Sequence, residues 1–122
     1  MVYPEGTTGM RALFRGAMTS AWYEASDEDR KERILPRFAQ MMSEWSEIGA
    51  KVLATLDDDL LMVGHPQSTG TTFYVIVEIN ELDDVVKMIQ RVRETVDGVR
   101  LDAYMRWEAR VGRPFFLLEP PS

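Results

Sequence analysis

Three polar side chains stand at alternate positions in the stretch from Arg100 to Arg110, which reads RLDAYMRWEAR. Tyr104, Arg106 and Glu108 would share one face of a β-strand, because successive side chains of a strand point to opposite faces. They would then span about 13 Å, which is comparable to a bicyclic aromatic molecule. Tyr104 offers a hydroxyl group, Arg106 a fork of donors for a carboxylate, and Glu108 a base or acceptor. The row predicts a site for a small aromatic or carboxylate ligand.

The same alternation is also typical of a strand face that pairs its own charges in water. Arg106, Glu108 and Arg110 alternate in sign, so they could neutralise one another without any ligand. Both interpretations stay open from the sequence. The intervening positions are apolar and predict that the other face of the strand packs into a core; they are Leu101, Ala103, Met105, Trp107 and Ala109.

Three further residues are candidates for the same site. His65 is the only histidine and follows Gly64 at the predicted end of a strand, and its pKa suits proton transfer near neutral pH. We predict His65 or Glu108 as a catalytic base, although a histidine before a proline is also typical of an ordinary turn. Trp22 precedes the first predicted helix, where it could wall a pocket or pack the start of the helix. Tyr74 lies on the predicted uncovered face of the sheet and is assigned to substrate binding.

The composition excludes several classes of function. The chain has 122 residues, a net charge of -6 and no cysteine. The acidic balance argues against binding a nucleic-acid backbone or an anionic membrane surface. With one histidine and no cysteine the chain cannot build a usual zinc site, and the acidic run at 57–59 lacks the spacing of a calcium loop. No glycine-rich phosphate loop is present. We therefore predict no metal and no cofactor.

The sequence carries no targeting signal that we can identify. The first residues, MVYPEGTTG, lack the charged and apolar regions of a signal peptide. The most apolar runs, at 60–63 and 73–77, are far shorter than the ~20 residues of a membrane span. The lack of cysteine agrees with a reducing compartment. These features predict a cytoplasmic protein.

The periodicities predict the order β-α-β-β-α-β. Strands are predicted over 10–19, 50–56, 71–79 and 100–110. One helix is predicted from Ser26 to Gly49 with an interruption at Pro36, and a second from Asn80 to Gly98. This order predicts an α+β, ferredoxin-like domain with an antiparallel sheet over residues 10–118. Residues 1–9 are predicted to be a flexible arm and residues 119–122 a tail.

Both predicted helices would cover the same face of this sheet. The other face would carry Tyr74 and Ile76, and the apolar segment that follows the last strand adds Phe115 and Phe116. Such a surface is not expected to stay in water. We therefore predict a two-fold homodimer whose sheets face each other, with the polar row of the last strand lining the space between them.

This pattern resembles the dimeric α/β-barrel superfamily, and three stretches resemble the small IacB-type proteins of indole-3-acetate degradation. The stretches are Asp57-Asp58-Asp59 with Met62-Val63-Gly64, Thr71-Thr72-Phe73-Tyr74, and Tyr104 with Arg106-Trp107-Glu108-Ala109-Arg110-Val111-Gly112-Arg113. The resemblance covers about residues 10–118. It implies a dimeric α/β barrel, in a superfamily that holds cofactor-independent monooxygenases, isomerising enzymes, haem enzymes and effector-binding modules.

These observations predict an enzyme of aromatic or organic-acid catabolism that works without a cofactor, by proton transfer or monooxygenase-like oxygenation. His65 or Glu108 would be the base, and Arg106 and Tyr104 would orient the substrate. The alternative is a non-catalytic ligand-binding or accessory protein with the same dimeric fold. A third interpretation is a purely structural dimer, in which ion pairs between strands use up the polar row.

Overall fold

The structure is a computed structural model that describes residues 9–61, 63–64, 72–115 and 117–118. Its strands are β1 (Arg11–Met18), β2 (Lys51–Asp57), β3 (Phe73–Glu78), β4 (Thr95–Val96), β5 (Val99–Arg100) and β6 (Met105–Gly112). Its α-helices are α1 (Ser20–Glu24), α2 (Asp27–Asp29), α3 (Leu35–Ile48) and α4 (Leu82–Arg93). Nearly all of the predicted arm and the whole predicted tail lie outside the described residues, so these boundaries stay predictions.

Four strands form one antiparallel sheet in the order β2-β3-β1-β6. The buried apolar residues of α3 and α4 join one core with alternate residues of these strands, so both helices lie on one face. This is an α+β fold consistent with the predicted ferredoxin-like arrangement. The described chain closes no barrel on its own. Within the described residues, no helix is long and apolar enough to cross a membrane.

An aromatic cluster fills the core between the sheet and α3. The ring centres of Phe14 and Trp45 are 4.6 Å apart, and Trp107 lies 5.7 Å from Trp45 and 5.2 Å from Phe73. Gly16 makes room for this cluster, because a Cβ at that position would overlap the Phe73 ring. A larger residue at this position of β1 would therefore displace the Phe73 side chain.

The predicted interruption at Pro36 is a π-helical turn (Arg30–Ile34) that joins α2 to α3. Proline lacks an N–H group and crowds the carbonyl four residues earlier, and the wider turn accommodates both effects. Ser26, where the helix was predicted to begin, caps α2 and accepts a hydrogen bond of 3.1 Å from the Asp29 N–H. Gly49 ends α3 with φ of 111°.

A buried arginine ties α3 to α4. The Arg37 guanidinium donates to both carboxylate oxygens of Glu44, at 3.0 and 3.1 Å, and to the backbone carbonyl of Arg91, at 3.0 Å. The carbonyl belongs to the last turn of α4, whose free acceptors favour a cationic donor. Arg37 therefore holds the two helices in place over the sheet.

The second helix is shorter than predicted, because α4 ends at Arg93 and not at Gly98. Residues 95–100 form the small hairpin β4-β5. Its turn contains Asp97 and Gly98 with φ of 52° and 79°. An Asp-Gly pair with two positive φ angles is typical of a two-residue hairpin turn, and the prediction missed this signal. The N-terminal cap of α4 is Glu81, one residue after the predicted start of the helix at Asn80.

The last strand begins later than predicted. Residues Leu101–Ala103 form a 3-10 turn, and β6 starts at Met105. Hydrogen bonds from Arg100 to Asp102, together with the Asp102 charge, raise the pKa of this exposed guanidinium. Arg100 and Asp102 therefore pair with each other next to the turn and do not belong to the strand face that was predicted.

Candidate functional site

The candidate site is the face of the sheet opposite α3 and α4, on which none of the described helices packs, and we call it the open face. The strand registers divide its side chains into rows that run across β6, β1, β3 and β2. From one end to the other these rows are Arg106-Ala17, then Glu108-Arg15-Tyr74-Leu56, then Arg110-Leu13-Ile76-Ala54, then Gly112-Arg11-Glu78-Lys51. Neighbours within a row are about 5 Å apart and successive rows about 7 Å apart.

The structure brings three of the predicted site residues together on this face. Arg106 and Glu108 are neighbours along β6, as predicted. Tyr74 lies in the same row as Glu108, with Arg15 between them, so the two are about 10 Å apart. These three side chains and Arg15 therefore surround one area near the end of the sheet where β1 ends.

Glu108 is engaged by two guanidinium groups. Arg110 donates to its Oε1 at 3.1 and 3.2 Å, and Arg15 approaches Oε2 at 3.6 Å from the neighbouring strand. The ion pairing that was predicted as an alternative therefore exists at this position. A carboxylate with both oxygens engaged in this way is better suited to holding arginines in place than to removing a proton from a substrate.

The Arg106 side chain is exposed, like those of Glu108 and Arg110. It differs from them because it has no hydrogen-bonding or charged partner within the part of the chain that the structure describes. Its register partner on β1 is Ala17, which leaves the guanidinium without a neighbouring carboxylate. The planar guanidinium group of an arginine can donate two parallel hydrogen bonds to the two oxygens of a carboxylate. Arg106 is therefore the strongest candidate on the open face for an anionic ligand group.

Tyr104 does not continue the row. It follows the 3-10 turn and precedes β6, with φ of -105° and ψ of -21°, and its side chain packs against the core. Its backbone carbonyl accepts a 3.0 Å hydrogen bond from the Thr19 N–H, and Thr19 Oγ1 donates to Ala103 O at 2.7 Å. The predicted row of three is wrong in this respect, because the chain turns before the strand begins.

Trp22 is half-buried in α1 at the same end of the sheet and packs against the core. The Arg30 guanidinium lies 5.5 Å from its ring centre, and Arg30 Nε donates to the Trp22 carbonyl at 2.8 Å. Arg30 also donates to the Tyr23 carbonyl at 2.8 Å. These contacts suit the packing role that was predicted as the alternative for Trp22.

The Tyr74 hydroxyl is 3.3 Å from Oδ2 of Asp58, which follows β2. This contact brings one member of the acidic run at 57–59 to the edge of the open face. His65 lies outside the described residues, so its predicted role as a base stays a prediction. Within the described residues no cluster of histidine, cysteine or carboxylate side chains could hold a metal ion.

The prediction did not include the β1 side chains on this face. Arg11, Leu13 and Arg15 alternate with the buried Ala12 and Phe14. The imperfect hydrophobic alternation of β1 obscured that signal, because Leu13 is apolar yet faces away from the helices. Two basic residues four positions apart on a central strand were the available clue.

A second concavity of about 460 Å³ lies outside the open face, between the end of α3 and β2. Met42, Trp45, Val52 and Val77 line it, and Lys51 is the charged residue at its rim. The described lining is mostly apolar and offers no set of convergent polar groups. We regard the open face as the better candidate site.

Comparisons with known proteins assign no family to this chain. No protein-family model matches it, and no curated protein matches it. Among solved structures, the chain is similar to the de novo designed protein Ferredog-Diesel, with 13% sequence identity over 93% of this chain and 91% of that chain. The TM-score is 0.44, so this similarity carries no argument about fold family or function.

Proposed function

We propose that this protein forms a two-fold homodimer through its open face and binds a small aromatic or organic-acid anion between the two sheets. The observation that carries the proposal is that the open face combines Arg106, whose guanidinium has no partner among the described residues, with exposed apolar side chains. Leu56 is 60% exposed and Ile76 is 36% exposed. A second sheet would remove this apolar surface from water, and the arginine would select the charged end of the ligand.

The apolar part of the open face supports an aromatic ligand. Tyr74, Leu13 and Ile76 are neighbours across β1 and β3 and present a ring and two branched side chains. Small-molecule sites are usually apolar walls with a few polar groups that fix the ligand's orientation. Arg106 and the Tyr74 hydroxyl are those polar groups in this proposal.

Binding is the role that this geometry supports best. Catalysis by proton transfer would require a base, and Glu108 would have to leave Arg15 or Arg110 to act as one. An enzyme that uses His65 as its base is the second candidate, in line with the resemblance of three sequence stretches to IacB-type proteins. That candidate requires turnover of an aromatic acid without an added cofactor.

The test is a binding panel of benzoate, phenylacetate and indole-3-acetate, with benzyl alcohol as a neutral match for benzoate. We expect the acids to raise the melting temperature and to bind in calorimetry, and benzyl alcohol to do neither. Arg106→Met should weaken acid binding by about tenfold to a hundredfold, because it removes a charged hydrogen bond. Lys87→Met on α4 makes the same charge change away from the sheet and should bind normally.

Two results would contradict the proposal. Equal binding of benzoate and benzyl alcohol would mean that no cation recognises the ligand. Equal weakening by Arg106→Met and Lys87→Met would mean that only the net charge matters. Product formation from a bound acid, lost in His65→Ala, would favour the enzyme over the binding protein.

A further inference from the structure

We infer that dimerisation of this protein is driven by the anion, which two opposed arginine patches take up as they come together. This inference rests on the dimer and the ligand class proposed above. It adds that the site is incomplete in one copy and that the second copy supplies half of the cations.

The argument begins with the uneven distribution of charge on the open face. Arg15, Arg106 and Arg110 lie on β1 and β6 with one carboxylate, Glu108, among them. We call this group the arginine patch, and its net charge is +2. The whole chain has a net charge of -6. A cationic patch in an acidic protein is a local feature that favours an anion.

An apolar patch covers the part of the open face formed by β2, β3 and the middle of β1. It consists of Leu13, Ala54, Leu56, Tyr74 and Ile76. The two patches lie side by side, because the apolar patch lies mainly on β2 and β3 and the arginine patch mainly on β6, while β1 between them contributes Leu13 to one and Arg15 to the other. Removal from water therefore lowers the free energy of the apolar patch and raises the free energy of the arginine patch.

The remaining charged groups of this face change the balance little. Arg11 and Lys51 flank Glu78 in the row at the far end of the sheet. Asp58 lies at the β2 edge, against the Tyr74 hydroxyl. Together they add two positive and two negative charges, so the net charge of the open face stays at +2.

This division selects one orientation of the two-fold axis. An axis that runs between the sheets and across the strands places each apolar patch over the other and each arginine patch over the other. An axis along the strands would place the arginine patch over Leu56 and Ile76 of the second copy, where apolar side chains offer the guanidinium groups no hydrogen-bond acceptor. The first orientation avoids that desolvation cost.

The favoured orientation has a consequence for the ligand. Two arginine patches with a combined charge of +4 would face each other across the dimer, and like charges in a space with little water repel strongly. Anions between the patches would turn this repulsion into attraction. A ligand that binds the dimer and not the monomer shifts the association equilibrium by mass action.

The experiment is sedimentation analysis of the full chain with terephthalate, an aromatic dicarboxylate, against NaCl at equal ionic strength. We expect the dimer dissociation constant to fall by about tenfold when terephthalate is present at about ten times its own dissociation constant. NaCl alone should have a smaller effect, because it only screens the repulsion. Benzyl alcohol should have none.

Two variants separate the electrostatic argument from a general loss of structure. Arg106→Met lowers the charge of each patch to +1, so its dimer should form more readily without terephthalate and should respond to it less. Lys87→Met makes the same charge change on α4 and should behave like the unmodified protein. Circular dichroism checks that both variants fold.

A dimer with the same dissociation constant in terephthalate and in NaCl would overturn this inference and leave the proposed dimer standing. A monomer under every condition, with no binding of terephthalate or benzoate, would overturn the proposed function as well. Anion binding by a protein that stays monomeric would overturn this inference and the proposed dimer, and would leave only the proposed ligand class standing.

Discussion

The two faces of the sheet differ in burial, although the same strands supply the side chains of both. On the helix side of β1, Ala12 and Phe14 are completely buried. On the open side, Arg11, Leu13 and Arg15 are half-buried and alternate with them. One face is packed against α3 and α4 within a single copy, whereas the other keeps exposed apolar side chains and, within the described residues, the Arg106 guanidinium without a partner. The comparison teaches that the buried core lies on one face of the sheet and the proposed binding site on the other.

The first way to test this division is to remove the centre of the closed face. Trp45→Ala deletes a ring that is 1% exposed, contacts Phe14 and Trp107, and donates from its indole N–H to Met88 O at 3.1 Å. We expect the free energy of unfolding to fall by about 3–5 kcal/mol in urea denaturation. Tyr23→Ala removes a ring that is 66% exposed and should change it by about 0.5 kcal/mol or less.

A loss below about 1 kcal/mol in Trp45→Ala would mean that the cluster between the sheet and α3 does not hold the fold. The claim that the face packed against α3 supplies most of the stability would then be wrong.

The second, smaller effect on stability comes from the open face. Ile76→Glu places a carboxylate in the apolar patch, next to Leu13 and Ala54 in the register. We expect the unfolding free energy of the monomer to fall by only about 1–2 kcal/mol, since the side chain is partly exposed. The dimer should be lost in sedimentation, because two carboxylates would oppose each other across the interface.

Leu82→Glu is the matched control, because it introduces the same charge at an exposed position of α4, where Leu82 is 64% exposed. Its dimer should be unchanged. An Ile76→Glu protein that dimerises normally would show that the open face is not the interface. An Ile76→Glu protein that unfolds as readily as Trp45→Ala would show that the two faces do not differ.

The sequence predicted the strands wherever local pattern and long-range packing agree. The apolar and aromatic run at 73–78 lies within the strand predicted at 71–79 and forms β3, which pairs with a strand on each side. The prediction failed where a short-range signal competed with periodicity. Val96 continues the apolar stripe of α4, yet the Asp97-Gly98 turn pulls it into a hairpin.

The site was predictable only in part for a similar reason. Arg106 and Glu108 share a face because alternation within β6 places them there. Arg15, which engages Glu108, comes from a strand some ninety residues earlier, and only the register of β1 with β6 brings it close. Tyr104 lies outside the predicted row because a 3-10 turn precedes β6. The prediction missed this turn because its sequence has no strong signature.

The most direct test of the central claim uses the isoleucine methyl groups, because the chain has five isoleucines. Ile76 lies on the open face, while Ile34 and Ile79 are buried in the core, 1% and 0% exposed. In methyl NMR of isoleucine-labelled protein titrated with benzoate, we expect the Ile76 signal to shift and the Ile34 and Ile79 signals to stay in place. Shifts confined to the core signals, or an Ile76 signal that does not move while benzoate binds, would contradict the account.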